Sequence, residues 1–218
     1  MTLDSFIAVY GDNRISEIII VDDESDWGIF TELKSLVEKL PKVKLWRNKS
    51  NQDCYFNKAR SVCYANNDWV VLLDSDNKID KDYIDKLYEI ETWEEDTIYT
   101  PDFAMPNFDF RNYSGVTLTK ENIAEHIDLP LLETMLNAAN YFVNRNKYLD
   151  VWDEYTNPHT SDSIYLISRW LESGNKVKVV EGLQYQHLVH DGSHYRTKRH
   201  LTPQGFHENI LNTLRQMK

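Results

Sequence analysis

The stretch WVVLLDSDNKI, residues 69–79, decides the fold of this chain. Its apolar run WVVLL has the pattern of a strand buried on both faces, and the run stops at Asp74, Ser75 and Asp76. Two carboxylates two residues apart behind a strand can point at one hard cation. This stretch therefore predicts a buried strand with a polar binding loop at its carboxyl end.

A second strand upstream ends in acid in the same way. The run IIIV, residues 18–21, is followed by Asp22 and Asp23. Ligands of open α/β sheets bind beyond the carboxyl ends of the strands, so the two acidic loops point to one cleft. Either pair alone is also explained by the frequency of Asp in turns and at helix N-termini.

The pattern between and after these strands predicts an α/β fold in which both halves of the chain share one sheet. Strand, helix, strand, helix, strand, helix is the order of an α/β sheet with right-handed crossovers. The predicted features are a second strand at 43–46, a helix that buries Ile84, Leu87 and Tyr88, short strands within 97–144, a helix with Ser161 as N-cap and Gly174 behind it, a strand KVKVV, and a last helix opened by Thr202 and Pro203.

The composition indicates one globular domain, residues 1–218. The hydrophobic content of 41% argues against disorder, and the formal charge of −11 argues against a nucleic-acid partner. No apolar run approaches the roughly 20 residues of a transmembrane segment. The start lacks the basic region of a signal peptide, and the spacing of Cys54 and Cys63 suits neither a metal knuckle nor a redox pair, so we expect a cytoplasmic protein.

Three known uses of such an acidic loop do not fit residues 74–80. A calcium loop of the EF-hand type needs an oxygen ligand and then glycine where Lys78 and Ile79 stand. A phosphatase of the haloacid-dehalogenase type expects threonine or valine at Lys78. A dinucleotide-binding fold would need the motif Gly-x-Gly-x-x-Gly, which the sequence does not contain.

Five segments in order carry a more specific signal. They are IIIVDDES (18–25), NKAR (57–60), WVVLLDSDNKI (69–79), YFVNR (141–145) and TSDS (160–163). Together they resemble the family-2 glycosyltransferases of the GT-A fold over nearly the whole chain. The resemblance implies a GT-A-like, Rossmann-like three-layer α/β sandwich with a mostly parallel central sheet, a nucleotide-sugar-binding half in residues 1–100 and an acceptor-side half in residues 101–218.

The resemblance also implies a reaction and a donor site. The reaction is metal-dependent transfer of a sugar, with inversion, from a nucleotide-diphosphate donor to a hydroxyl of a glycan or a similar acceptor. Mn²⁺ or Mg²⁺ would be held by Asp76 with Asp74, which also lies near the ribose, and by a histidine that is His190 or, alternatively, His187. The remaining donor-binding residues would be Asp23 or Asp22 on the nucleotide, Asn57, Arg60, Ser75, and Ser193 and Arg196 near phosphate.

Asp162 in TSDS stands where the family has its general base, which takes the proton of the acceptor hydroxyl. The family usually has a second acid in front of it, where this chain has Ser161. An aspartate in the first turn of a helix is also favoured by the helix dipole alone.

Acceptor recognition is expected in residues 103–157, because loops outside the sheet usually carry specificity. The aromatic residues there could stack on sugar rings or belong to the core; they are Phe108, Phe110, Tyr113 and Trp152.

In the family, the strand at residues 18–23 is normally the second one and follows a helix, which here would contain Leu3, Phe6, Ile7 and Val9. By this comparison the chain starts roughly 20 to 30 residues late, as if one βα unit were absent.

Two other functions stay open: a nucleotidyltransferase on a similar sheet, although no Gly-rich basic loop follows the first strand, and a nucleotide- or carbohydrate-binding module without turnover.

Overall fold

The computed structural model describes residues 4–188 and 197–218 and has a mixed α/β fold. Strands and helices alternate in the first half, as the sequence predicts. These elements are β1 (Ile18–Asp22), α1 (Trp27–Val37), β2 (Val43–Arg47), α2 (Asp53–Tyr64), β3 (Trp69–Val71) and α3 (Lys81–Tyr88).

The second half has two long strands, three strands of two or three residues, and α-helices of four to eleven residues. Its elements are β4 (Thr97–Met105), β5 (Phe108–Asp109), β6 (Thr117–Leu118), α4 (Ile123–His126), α5 (Leu132–Asn137), β7 (Phe142–Asn144), α6 (Arg145–Val151), α7 (Asp162–Glu172), β8 (Lys176–Gln186) and α8 (Phe206–Gln216).

The two longest strand pairings, β1 with β2 and β4 with β8, are both parallel. The larger sheet has the order β3-β7-β4-β8-β6, with β5 beside β4, and its shorter pairings are antiparallel. Helices α3 and α7 both pack against β8. Trp170 on α7 is fully buried, and its indole N–H donates to the carbonyl of Lys176 at 2.8 Å, which fixes the helix to the start of β8.

The pairing differs from the single sheet that the sequence predicts, because β1 and β2 form a sheet of their own. Each of β1 and β3 has one edge that pairs with no other strand in the described part of the chain, and residues of both strands line the same cavity. Glu17, directly before β1, links β2 to the segment in front of β3. Its carboxylate accepts from Lys44 Nζ at 2.6 Å and from the backbone N–H of Asn66 at 2.6 Å.

Residues 4–11 form consecutive turns, so the helix predicted from Phe6, Ile7 and Val9 is wrong for this segment. The N–H of Val9 donates to the carbonyl of Phe6, and the carbonyl of Ser5, which a helix would offer to Val9, accepts instead from Ile79. Phe6 and Val9 are nonetheless buried in the core. Tertiary hydrogen bonds have replaced the helical ones while the apolar side chains still point inward.

Three smaller predictions also need correction. Tyr88 ends α3 with half of its surface exposed, although Ile84 and Leu87 are buried as expected. The last helix begins at Phe206, and the hydroxyl of Thr202 pairs with that of Thr160 at 2.9 Å. Ser161 is the N-cap residue of α7, as predicted, but its hydroxyl makes no capping hydrogen bond there.

In the described part of the chain, no helix combines the length and apolar character needed to cross a bilayer.

Candidate active site

A cavity of about 1670 Å³ lies between β1 and β3 and extends past their carboxyl ends. It is bounded by the loops that follow these strands, by α2 and by the start of α7. Six of the predicted site residues line it: Asp23, Asn57, Asp74, Ser75, Asp76 and Asp162. The cleft expected from acids at two strand ends is therefore present.

The buried side chain of Asn48 organises the wall of this cavity that the end of β1 and α2 form. Its amide nitrogen donates to Asp23 Oδ1 at 2.7 Å and to Asn57 Oδ1 at 2.9 Å, and its carbonyl oxygen accepts from Arg60 Nη1 at 2.6 Å. Asn57 also donates to the carbonyl of Val21 at 3.0 Å, which ties α2 to the end of β1. Sequence reasoning missed Asn48. The feature that could have indicated it is its position as the first residue after β2.

Two predicted donor residues, Asp22 and Arg60, do not line the cavity. Asp22 is buried and pairs with Arg47 Nη1 at 3.2 Å, and its second contact is the N–H of Ser25 at 3.3 Å. Arg60 is exposed on α2 and reaches the site only through Asn48. Of the two adjacent acids, Asp23 is the one in position to meet a ligand in this cavity.

Lys58 joins the two halves of the site. Its ammonium nitrogen lies 2.8 Å from Asp162 Oδ2 and 3.1 Å from Asp74 Oδ1, so these two carboxylate oxygens are within about 6 Å of each other. The three side chains come from α2, the loop after β3 and the start of α7. Lys58 is inside the NKAR segment, but nothing in the sequence signals that it contacts both acids.

The charges in this cluster shift one another's proton affinity. Burial lowers the pKa of Lys58, but the carboxylates of Asp162 and Asp74 outweigh that effect, so the pKa stands well above its usual value. Burial raises the pKa of Asp74; Lys58 opposes the rise, and the charges of Asp162 and Asp76 add to it. The lysine is therefore a cation that these acids hold at the cavity wall.

The loop after β3 is held from two sides. The N–H of Asp74 donates to Asn140 Oδ1 at 2.9 Å, and Asn140 is completely buried in front of β7. The carbonyl of Ser75 accepts from Ser5 Oγ at 2.7 Å. These contacts fix the backbone that carries Asp76 into the cavity.

A polar chain leads from the start of α7 to α8. Ser161 Oγ lies 2.8 Å from His207 Nδ1, and His207 Nε2 lies 2.7 Å from Glu133 Oε1. All three residues line the cavity beside Asp162. The family's second acid is thus replaced by a serine whose hydroxyl is held by a histidine, an interaction that sequence reasoning did not find.

The predicted metal-site residues are only partly described. His190, Ser193 and Arg196 lie outside the described residues, and no group of three metal-ligating side chains is assembled among those that are described. His187 lines the cavity with Asp74 and Asp76; burial lowers its pKa against the opposing charges of these two acids. Two carboxylates and an imidazole suit Mn²⁺, and the carboxylates suit Mg²⁺ that keeps water ligands.

The aromatic residues of the predicted acceptor region divide into two groups. Phe110 and Tyr113 are buried in the core and are not available to a sugar. Phe108 lines the cavity, with its ring centroid 5.3 Å from that of His187. Trp152 packs edge-on against Phe56 at 5.7 Å and is not among the residues that line the cavity.

The fold is similar to that of TarS from S. aureus. The structure of TarS residues 1–349 aligns with a TM-score of 0.66 at 13% identity over 98% of this chain and 66% of that one. The same fragment in complex with UDP-GlcNAc aligns with a TM-score of 0.67 at 13% identity over 90% of this chain and 57% of that one. This chain thus spans less than two thirds of these TarS structures, and identity at this level shows the fold alone.

Sequence comparison identifies the family. No curated protein matches the chain significantly. Residues 2–178 match the family described as "Glycosyl transferase family 2", which is well over half of the chain. The predicted order of strand-end acids, NKAR, the Asp-x-Asp loop and TSDS falls within the matched residues. The chain belongs to glycosyl transferase family 2.

Proposed function

We propose that this chain is a metal-dependent glycosyltransferase that moves a sugar from a nucleotide-diphosphate donor to a hydroxyl of a glycan or a similar acceptor, with inversion at the sugar carbon. The observation that carries this proposal is the meeting of Asp74 and Asp162 at one ammonium group within one cavity. We assign Asp74 to the donor loop and Asp162 to the general base, on the two sides of the proposed reaction centre.

The nucleotide half of the donor is assigned to the wall that Asn48 organises. Asp23 Oδ1 accepts from Asn48 and from the N–H of Gln52, which leaves Oδ2 of the same carboxylate for a ribose hydroxyl or a base N–H. Asn57 lies beside it. Its amide oxygen accepts from Asn48 and its amide nitrogen donates to the carbonyl of Val21, so we assign it the role of holding the wall in place.

Departure of the diphosphate leaves negative charge that must be neutralised. The residues we assign to a Mn²⁺ or Mg²⁺ ion are Asp76 and Asp74 with His187 or His190, and the bound ion would supply that neutralisation. The fit rests on oxygen ligands that share one loop and one cavity.

Asp162 is assigned as the general base. In a single displacement, the acceptor oxygen forms a bond to the sugar carbon as the bond from that carbon to the diphosphate oxygen breaks, and Asp162 Oδ2 takes the hydroxyl proton. One displacement inverts the configuration. Ser161, held by His207 at 2.8 Å, lies next to this base and can accept or donate a hydrogen bond to the acceptor.

The first donor to test is UDP-GlcNAc, because the similar TarS fragment was solved in complex with it. The test is a screen of nucleotide sugars with glycan acceptors, read out as released nucleoside diphosphate in Mn²⁺, in Mg²⁺ and in EDTA. Calorimetry with free nucleoside diphosphates runs beside it. If no nucleotide binds more tightly when metal is present, the metal-dependent transferase is excluded; if a nucleotide binds and no sugar is transferred, a binding module remains.

A further inference from the structure

The position of Lys58 is unusual for a residue that only stabilises the fold. Its side chain keeps about a fifth of its surface exposed and lines the cavity, while its ammonium touches acids from both sides of the site. A salt bridge that only stabilised the fold would need either Asp74 or Asp162 as the partner of Lys58, not both. A cation held between two acids at a cavity wall can exchange one of them for another anion.

Lys58 differs in its contacts from the other cations that line the cavity. Arg14, another cation at the cavity, is taken up by Asp12 and Asp85, at 2.6 Å from the former. Lys198 and Arg199 line the cavity from the exposed segment before α8. Among the lining cations that the structure describes, Lys58 is the one in contact with both Asp74 and Asp162.

We propose that Lys58 is a donor-binding residue that contacts the diphosphate of the nucleotide sugar, and that it leaves Asp162 to do so. This inference rests on the proposed function, since it assigns a group to the donor of that reaction. In this structure the ammonium of Lys58 binds Asp162 Oδ2, the oxygen that has to receive the acceptor proton. Arrival of the diphosphate offers the ammonium a doubly charged partner and frees this oxygen.

The exchange balances without any further reactant. No covalent bond changes and no proton moves when Lys58 turns from the carboxylate to the phosphate oxygens. Hydrogen bonds between an ammonium and phosphate are among the stronger ones, because both partners are charged. Donor binding and release of the base thereby become one event.

The test is calorimetric titration of the protein with UDP in EDTA, with uridine as a probe that lacks the diphosphate. Lys58→Met is expected to weaken UDP binding by about 10-fold or more and to leave uridine binding unchanged. Lys58→Arg should stay within about 3-fold of wild type. The matched control is Lys176→Met, which removes a lysine that bridges Glu94 and Asp96 on the surface.

A double-mutant cycle tests the exchange itself. Asp162→Asn removes the competitor for Lys58, so it should tighten UDP binding in EDTA by about 5-fold, and much less so when Lys58 is already Met. The double variant also leaves only one unpaired carboxylate, which protects the test against a failure of Lys58→Met to fold. Equal tightening in both backgrounds would show that Lys58 does not exchange partners.

The outcomes separate this inference from the function on which it rests. If wild type binds UDP and Lys58→Met binds it equally well, Lys58 is a structural ion pair and the transferase proposal stands. If wild type binds no nucleoside diphosphate in EDTA or in Mn²⁺, both proposals fail.

Discussion

Replacement of Asn48 with alanine removes three side-chain hydrogen bonds from the wall of the candidate donor site. Two of the partners, Asp23 and Arg60, are charged, and the third is the amide of Asn57. Charge-assisted hydrogen bonds contribute about 1.5 to 3 kcal/mol each and neutral ones about 1 kcal/mol. Arg60 is exposed and Asp23 keeps its bond from Gln52, so water and that bond offset part of the loss. We expect the free energy of unfolding to fall by about 2 to 3 kcal/mol.

The assay is urea unfolding followed by circular dichroism, with the slope against denaturant concentration unchanged. Asn48→Asp keeps the size of the side chain and the acceptor for Arg60, but it sets a carboxylate 2.7 Å from Asp23 where an N–H stood. It should therefore destabilise at least as much as alanine at pH 7. Asn212→Ala on the exposed face of α8 is the control and should change stability by less than about 0.5 kcal/mol. An Asn48→Ala variant as stable as that control would refute the role given to these bonds.

Three further outcomes are expected. Asp76→Ala should abolish the gain in UDP affinity that Mn²⁺ gives, measured by calorimetry, and an unchanged gain would remove Asp76 from the metal site. Asp162→Asn should cut sugar transfer by about 100-fold or more without weakening UDP binding, which near-normal turnover would contradict. At Glu17, burial raises the pKa, but hydrogen bonds from Lys44 and Asn66 outweigh it and lower the pKa from 4.5 to about 2. Because the pKa of Glu17 is lower in the folded than in the unfolded state, these bonds stabilise the fold above about pH 4.5, and the stabilisation is lost as the pH falls towards 2. Glu17→Gln should lower the free energy of unfolding by about 1 to 2 kcal/mol at pH 7 and by almost nothing at pH 2. A loss of stability that does not depend on pH would contradict the assignment.

The sequence predicts the elements whose pattern is local. The apolar runs at residues 18–21 and 69–71 became β1 and β3, although their residues there are only partly buried, and α3 keeps Ile84 and Leu87 on its buried side. The acids at the strand ends could also be assigned to one cleft, because the carboxyl ends of parallel strands share an edge. Asp23, Asp74 and Asp76 do line one cavity, although β1 and β3 belong to two separate sheets.

What the sequence does not predict depends on partners far along the chain. Phe6 and Val9 have helical spacing, but the carbonyl of Ser5 bonds to Ile79, more than seventy residues away, and the helix does not form. Lys58 and Asp162 are 104 residues apart, and their contact depends on how α7 docks on α2. Ser161 stands at the N-cap of α7, yet its hydroxyl bonds to the side chain of His207 in α8 and not to the helix backbone. At Ser5 and Ser161 a tertiary hydrogen bond has replaced the local helical one, and the contact of Lys58 with Asp162 depends on the docking of two helices.

The acidity of the cavity decides what a diphosphate needs in order to bind there. The carboxylates of Asp23, Asp74, Asp76 and Asp162 all line it, so an entering dianion meets repulsion unless cations compensate. Arg14, Lys198 and Arg199 also line the cavity, but the two positive charges at these acids are Lys58 and the divalent ion that we propose at Asp76. The lysine belongs to α2 and stays in EDTA, whereas the ion does not. The difference in UDP affinity between EDTA and Mn²⁺ therefore measures the contribution of the ion. The difference between Lys58→Met and wild type in EDTA measures the contribution of the lysine. A diphosphate that contacts both should retain part of its affinity when either one is lost.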